Sequence, residues 1–411
     1  MSDKKNPTKS FFLLKEGSCP NFGFTTGTCA QAASVAAGRM LFSQRPVSHV
    51  ILTTPKGIKA CIEISDQTFS ENAASCSVRK FSGDDPDVTD GIKVFSIVRR
   101  IPNEVTDSQR DPACRKGGVR IVGGEGVGRV TLRGLDQDVG EAAINSVPRR
   151  MIAEGLEKEM AGYRGNAGIS EEFSLEVEIS VPGGEEIALR TFNPRLGIVG
   201  GISILGTSGI VEPMSERAVL DTIRAEMSVR KAQGLAVLPL VPGNYGSDFL
   251  RETYGFPVDK TVRCSNFVYD SLQIAREAGF GKVLFCGHIG KLLKVALGAK
   301  NTHSEFGDGR MESLLALARV FAPEERLSFV RGRLMACVST EDAVSVLDSL
   351  DSGHKVRNLV MREAAARIRG RMTEWTEGEM MCEVVIFTKR HGILAETDGA
   401  ADFIKEIKGS I

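Results

Sequence analysis

Residues 202–205, Ile-Ser-Ile-Leu, run apolar into Gly206, and Gly209, Glu212-Pro213 and a long amphipathic stretch follow. An apolar run, a glycine turn and a helix with proline near its start are the marks of a strand buried in a parallel sheet and its crossover helix. A chain built this way must cover both faces of a sheet, and it presents backbone N–H groups where each helix begins. Two further runs end alike, at Pro242-Gly243-Asn244-Tyr245-Gly246 and at Gly287-His288-Ile289-Gly290-Lys291. One glycine after a strand is only a connection. Three such turns at the C-terminal edge of one parallel sheet would converge on a crevice for a small polar molecule. Gly206, Thr207, Gly209, Gly243, Asn244, Gly246 and Gly287 are therefore the candidate residues for binding that molecule, and a valine at Gly206 or Gly243 is expected to abolish binding in a folded protein. Neither the Gly-x-Gly-x-x-Gly dinucleotide fingerprint nor the phosphate loop ending in Gly-Lys-Ser/Thr stands in its accepted context.

The two halves of the 411-residue chain differ. Up to about residue 192, short strand-like runs meet at glycine-bearing turns: 50–64, 119–132 and 173–190 read as hairpins, and 75–80 and 92–100 as single strands. Two helices are expected, over 28–42, rich in Ala, Ser and Gly, and over 149–161 after Pro148. The economical fold is a mostly antiparallel sheet with helices on one face, an α+β domain over 1–192. From 193 to 411, strand-like runs at 202–205, 235–241, 282–286 and 382–388 alternate with helical patterns at 215–233, 265–278, 310–321, 341–350 and 357–375. That alternation predicts an α/β domain with a small parallel sheet.

Lys plus Arg and Asp plus Glu both number 52, so charge gives no general attraction to nucleic acid or to a membrane surface. No apolar stretch approaches the length of a transmembrane helix, and residues 11–14, Phe-Phe-Leu-Leu, are too short for a signal core, so a cytoplasmic protein is expected. Nine cysteines without a Cys-x-x-Cys pair point to reduced, buried thiols rather than disulfides or zinc. Oligomeric state is left open, a homo-oligomer included.

Further candidates lie outside the glycine turns. Asp84, Asp85 and Asp87 crowd one turn and resist joint ionisation unless donors or a cation meet them; a solvated turn is the plain alternative. His288 follows a strand directly and could move a proton or hold a ligand. Thr25, Thr26 and Thr28 open the first helix, where hydroxyls and free N–H groups could hold an anion, with Thr28 as a cap. Arg149 and Arg150 stand at a helix start, which disfavours cations unless an anion or an acid is near. Arg120, Arg195, Lys291 and His303 are further polar candidates.

Taken together, Phe24-Thr-Thr-Gly-Thr-Cys29, Gly83-Asp-Asp-Pro-Asp-Val-Thr89, Ala143-Ile-Asn-Ser-Val-Pro-Arg-Arg150, residues 195–211, Gly243-Asn-Tyr-Gly246, Gly287-His-Ile-Gly-Lys291 and Asn301-Thr-His-Ser304 with residues 308–312 resemble the CbiD family. These are the cobalt-precorrin-5B C-1-methyltransferases of anaerobic cobalamin biosynthesis, and the resemblance covers nearly the whole chain in order. It implies methyl transfer from S-adenosylmethionine to C-1 of cobalt-precorrin-5B, giving cobalt-precorrin-6A. It implies a first domain resembling the second-domain fold of ribosomal protein S5, and a second that binds S-adenosylmethionine. No protein-bound metal is implied, since the cobalt enters with the tetrapyrrole substrate. On this reading Asp84, Asp85 and His288 are the acid/base candidates, and Thr25, Thr26, Thr28, Arg149, Arg150, Arg195, Lys291 and His303 contribute to substrate binding. The rival readings are a nucleotide-dependent enzyme using the same crevice and a non-catalytic carrier or scaffold for corrin intermediates.

Overall fold

The computed structural model describes residues 21–102, 118–167 and 173–409. The chain forms two compact units, divided between Glu216 and Arg217. The first unit is α+β. Its main sheet orders the strands Ser65–Phe69, Ala73–Arg79, Lys93–Pro102, Phe173–Ser180 and Val119–Gly123, antiparallel except for the last pair. Alternate residues of the central strands are buried, as expected for a sheet covered on one face. Two helices do the covering: Thr26–Ser43 over the second and third strands, Ser146–Ala167 beside it over the last. They lie close because each offers a glycine to the other. A Cβ at Gly38 would fall 2.4 Å from Leu156 Cδ2, and one at Gly155 would fall 2.6 Å from Val35 Cγ2. The small residues of the first helix thus serve packing.

Three sequence expectations change in this unit. Residues 119–132 are not a hairpin: Val119–Gly123 pairs in parallel with Phe173–Ser180, and Arg129–Val130 pairs with Ile198–Val199. Residues 184–188 form a short helix rather than a return strand. Residues 202–205 are not a strand of the parallel sheet. They make single parallel bridges, Ile202 to Val127 and Ile144 to Ile204, inside the first unit. The turn carrying Gly206, Thr207 and Gly209 therefore belongs with residues 1–216, and the division falls some two dozen residues beyond the expected 192/193 boundary. An apolar run before a glycine looks the same in a bridge segment and in a buried strand, which is why pattern alone misplaced it.

That turn is tied to the start of the first helix. Thr26 Oγ1 accepts from the Leu205 N–H at 2.9 Å, Gly27 N–H donates to the Leu205 carbonyl at 3.0 Å, and Thr28 Oγ1 donates to the Gly209 carbonyl at 2.7 Å. Thr25, rather than Thr28, is the cap, accepting from Thr28 N–H. All three threonines are buried. The groups free to meet an anion in the sequence reading are thus engaged by the chain itself.

The second unit holds a sheet in the order Val262–Arg263, Leu238–Val241, Lys282–His288, Met381–Thr388, all parallel, with Gly392–Glu396 antiparallel at the edge. Both faces are covered, and side chains alternate between them. Leu238, Leu240, Val283, Phe285, Val384 and Ile386 enter the larger core. Val237, Val241, Leu284, Cys286, Val385 and Phe387 enter a second one, closed by the helices Asn244–Tyr254 and Ala400–Gly409. The α/β expectation holds, with the helix Glu324–Met335, the edge strand and the last helix added. Cys29, Cys76, Cys264, Cys286 and Cys382 are buried free thiols, and burial pushes that of Cys264 up to about 12; Cys19 and Cys114 lie outside the described residues. No helix among the described residues is long and apolar enough to cross a membrane.

Gly206 sits at φ +130°, and a Cβ there would fall 2.3–2.5 Å from the Thr25 side chain. Gly206→Val, expected from sequence to leave the fold intact, should instead lower the unfolding free energy by roughly 2–5 kcal/mol through strain and overpacking. Urea titration of the variant beside the parent checks this.

Candidate functional site

Neighbouring strands of the second sheet send their helices to opposite faces. The helix after Leu238–Val241 packs Leu250 into the smaller core, whereas the helix after Lys282–His288, Ile289–Ala296, packs Leu292 and Leu293 into the larger one. The two turns diverge at the sheet's C-terminal edge, and the crevice between them is the place where doubly wound sheets hold ligands. A cavity of about 770 Å³ opens here, lined by Pro242–Gly246, Asn266, His288, Gly290, Lys291, Lys294, Thr302–Ser304, Gly307, Asp308 and Arg310. That size suits a small organic ligand.

The turn residues do different work. Gly243 is extended, at φ 173°, and a Cβ on it would meet nothing within 4 Å, so its missing side chain leaves open space. Gly246 and Gly287 are packing glycines: a Cβ would fall 2.9 Å from the Cys286 carbonyl oxygen or 2.2 Å from Leu292 Cδ1. No side chain caps the helix that Asn244 begins. Tyr245 lies under the Lys389 ammonium, 3.8 Å from the ring centroid.

His288 caps the other helix. Its Nδ1 accepts from the Gly290 N–H at 3.2 Å, which places the ring proton on Nε2, 3.3 Å from Glu341 Oε1. Burial opposes ionisation of Glu341, but hydrogen bonds from His288 and from the Lys389 and Arg390 N–H groups outweigh it and hold the carboxyl below its usual range. His303 caps the short turn Ser304–Phe306 through Nδ1 in the same way. Thr302 ties this loop to Asn266 through both backbone and side chain. Lys291 donates to the carbonyl of Ser265, a residue in the left-handed region at φ 54°.

Of the sequence candidates, Gly243, Asn244, Gly246, His288, Lys291 and His303 thus line one cavity, and Gly287 adjoins it. Tyr245, Asn266, Lys294 and Arg310 line it too and were missed, as was Glu341 behind His288; the signal for Lys294 was a second lysine three positions after Lys291 in an apolar helix. The other candidates lie in the first unit. Asp84 accepts from the Asn21 backbone and side chain, Asp85 from the Met214 N–H, and Asp87 from buried Lys80 and from Thr89. The crowded carboxylates are thereby resolved onto separate donors. Arg149 donates to the carbonyls of Ile144 and Ile121, Arg120 pairs with Glu176, Arg150 is exposed and Arg195 half-buried.

The depressed carboxyl of Glu341 gives a pH signature. The hydrogen bonds to its ionised form contribute stability at pH values above the ordinary 4.5 of the unfolded chain, and that stability is lost as pH falls through the lower folded value. The stability difference between parent and Glu341→Gln should accordingly be constant from pH 7 to 5 and shrink on further acidification, as followed by urea midpoints.

Comparison with known proteins bears on the whole chain. The family model described as CbiD matches residues 14–213, and that described as CbiD, C-terminal domain, matches 301–398. A relative from Ruminiclostridium cellulolyticum named cobalt-precorrin-5B C(1)-methyltransferase is 40% identical over 403 residues, 96% of this chain and 97% of the relative. Proteins of the same name from Clostridioides difficile and Salmonella typhimurium are 35% and 36% identical, over 93% and 94% of this chain and 96% and 95% of their own. A crystal structure of the cobalamin biosynthesis protein cbiD from Archaeoglobus fulgidus is similar at 27% identity, covering 72% of this chain and 86% of that one, with a TM-score of 0.36. With its motifs in family order and its relatives aligned almost end to end, the chain belongs to the CbiD family.

Proposed function

We propose that this chain methylates C-1 of cobalt-precorrin-5B with S-adenosylmethionine as donor, giving cobalt-precorrin-6A in the anaerobic route to cobalamin, in the cytoplasm. The observation that carries the reading is near full-length identity of 35–40% to proteins named for that activity. The cobalt belongs to the tetrapyrrole substrate. A likeness of the first unit to the second domain of ribosomal protein S5 is part of the same proposal.

The cavity of the second unit suits the donor. Gly243 leaves room against the backbone, the uncapped helix start at Asn244 offers N–H groups, and Lys291 supplies positive charge. The chemistry such a donor supplies is an electrophilic methyl group on a sulfonium, taken in line by a carbon nucleophile. The protein's part is then placement rather than covalent catalysis. Asn244 begins the helix, Gly246 closes the turn by donating its N–H to the Gly243 carbonyl, and Gly287 lets the strand end approach Leu292. His288 keeps one tautomer and orients the wall it caps. In the first unit Gly206, Thr207 and Gly209 act through the fold of their turn, with Thr25, Thr26 and Thr28 as its anchors. Asp84 and Asp85 position their loop, Arg149 ties its helix start to the Ile144 and Ile121 carbonyls, and Arg150 and Arg195 add positive charge for the carboxylates of the tetrapyrrole.

Gly243→Val tests the reading, because the new side chain enters open space. The parent should bind S-adenosylhomocysteine at one saturable site in calorimetry and yield methylated corrin by mass spectrometry. The variant should keep its urea midpoint and lose at least about tenfold in affinity. Tight tetrapyrrole binding without turnover in the parent would make the chain a carrier instead.

A further inference from the structure

The cavity at the divergent turns carries more positive charge than its own side chains neutralise. Lys291, Lys294 and Arg310 line it against one acid, Asp308. Asp308 is engaged by the Arg310 guanidinium through two hydrogen bonds, which, with the charge of Lys294, hold its carboxyl below the usual range. The lysines have only carbonyl partners: Lys291 donates to Ser265 and Lys294 to Thr302, each over a long 3.4 Å, and among the described residues neither forms an ion pair. Each ammonium thus keeps N–H groups to give. Three positions apart on Ile289–Ala296, they share one helix face. Lys294 is only 9% exposed, and it stands in the wall common to this cavity and an adjoining hollow of about 400 Å³. Burial and the charge of Lys294 pull the Lys291 ammonium below the usual lysine range. Two like charges in a partly desolvated place raise the free energy of the folded chain until an anion joins them.

We propose that Lys291 and Lys294 form a subsite that receives a carboxylate of the ligand, through charge-assisted N–H···O bonds from both ammonium groups. This deepens the reading of the same cavity and rests on it for the identity of the ligand. The carboxylate has two sources there, the amino-acid end of the methyl donor and a side chain of the tetrapyrrole.

Lys294→Met keeps the length of the side chain and removes its charge. Binding to the full chain is measured by calorimetry with S-adenosylhomocysteine, with 5′-methylthioadenosine, which lacks the amino-acid carboxylate, and with uroporphyrin as a polycarboxylate tetrapyrrole. If the donor supplies the carboxylate, the variant binds S-adenosylhomocysteine at least about tenfold more weakly and methylthioadenosine unchanged. If the tetrapyrrole supplies it, uroporphyrin binding alone weakens by that factor. Unchanged affinity for all three overturns the subsite. Should the parent bind none of them, the methyltransferase reading fails, and citrate decides the subsite separately: it should raise the melting temperature of the parent above that in chloride of equal ionic strength, and of the variant not at all. An equal rise in both overturns it. Lys291→Met, at a half-buried position, supplies the same readouts should Lys294→Met not fold.

Discussion

Two adjacent parallel strands, Leu238–Val241 and Lys282–His288, send their helices to opposite faces of the sheet, because their right-handed connections run toward opposite edges, one to Val262–Arg263 and the other to Met381–Thr388. Once the helices part, the backbone between them has no neighbour, and a crevice opens whose walls are helix starts. The loop through Thr302 and the Asn266 segment follow from this, since each must bond the other to close the sides of that opening. The charge of the cavity has the same origin. Lys291 and Lys294 belong to the short helix that leaves toward the larger core, one near its start and one in its last turn, and both line the opening.

The glycines of the two units illustrate how one residue type answers opposite demands. At Gly206 the chain approaches Thr25 so closely that a methyl group has no room, and the result is a rigid join between a turn and a helix start. At Gly243 the absent side chain faces empty space. In the sequence both are a glycine closing an apolar run, and only the surroundings separate a packing glycine from one that leaves room for a ligand.

Much of this was legible beforehand. The helices 310–321 and 357–375 and the strand 382–388 were read within a residue or two of their places, because long amphipathic periods and dense apolar runs carry their own signal. The turns at Gly243 and Gly287 were read correctly as one edge of a parallel sheet. What escaped were pairings across long stretches of chain: Val119–Gly123 beside Phe173–Ser180, and 202–205 bridging to Val127 and Ile144. No local pattern records which distant strand will supply the partner. The threonines and acids of the first unit were recognised as unusual, yet their partners, Leu205, Gly209, Asn21 and Met214, come from elsewhere in the chain.

The imidazoles at the cavity rim have a final consequence. His288 and His303 each use Nδ1 as an acceptor for the N–H that begins a helical turn. An Nδ1 that accepts leaves the ring proton on Nε2, so each imidazole turns its acceptor to the backbone and its donor the other way. At His288 the same ring therefore joins three pieces of chain: the end of a strand, the N–H that opens the next helix, and through Nε2 the carboxylate of Glu341.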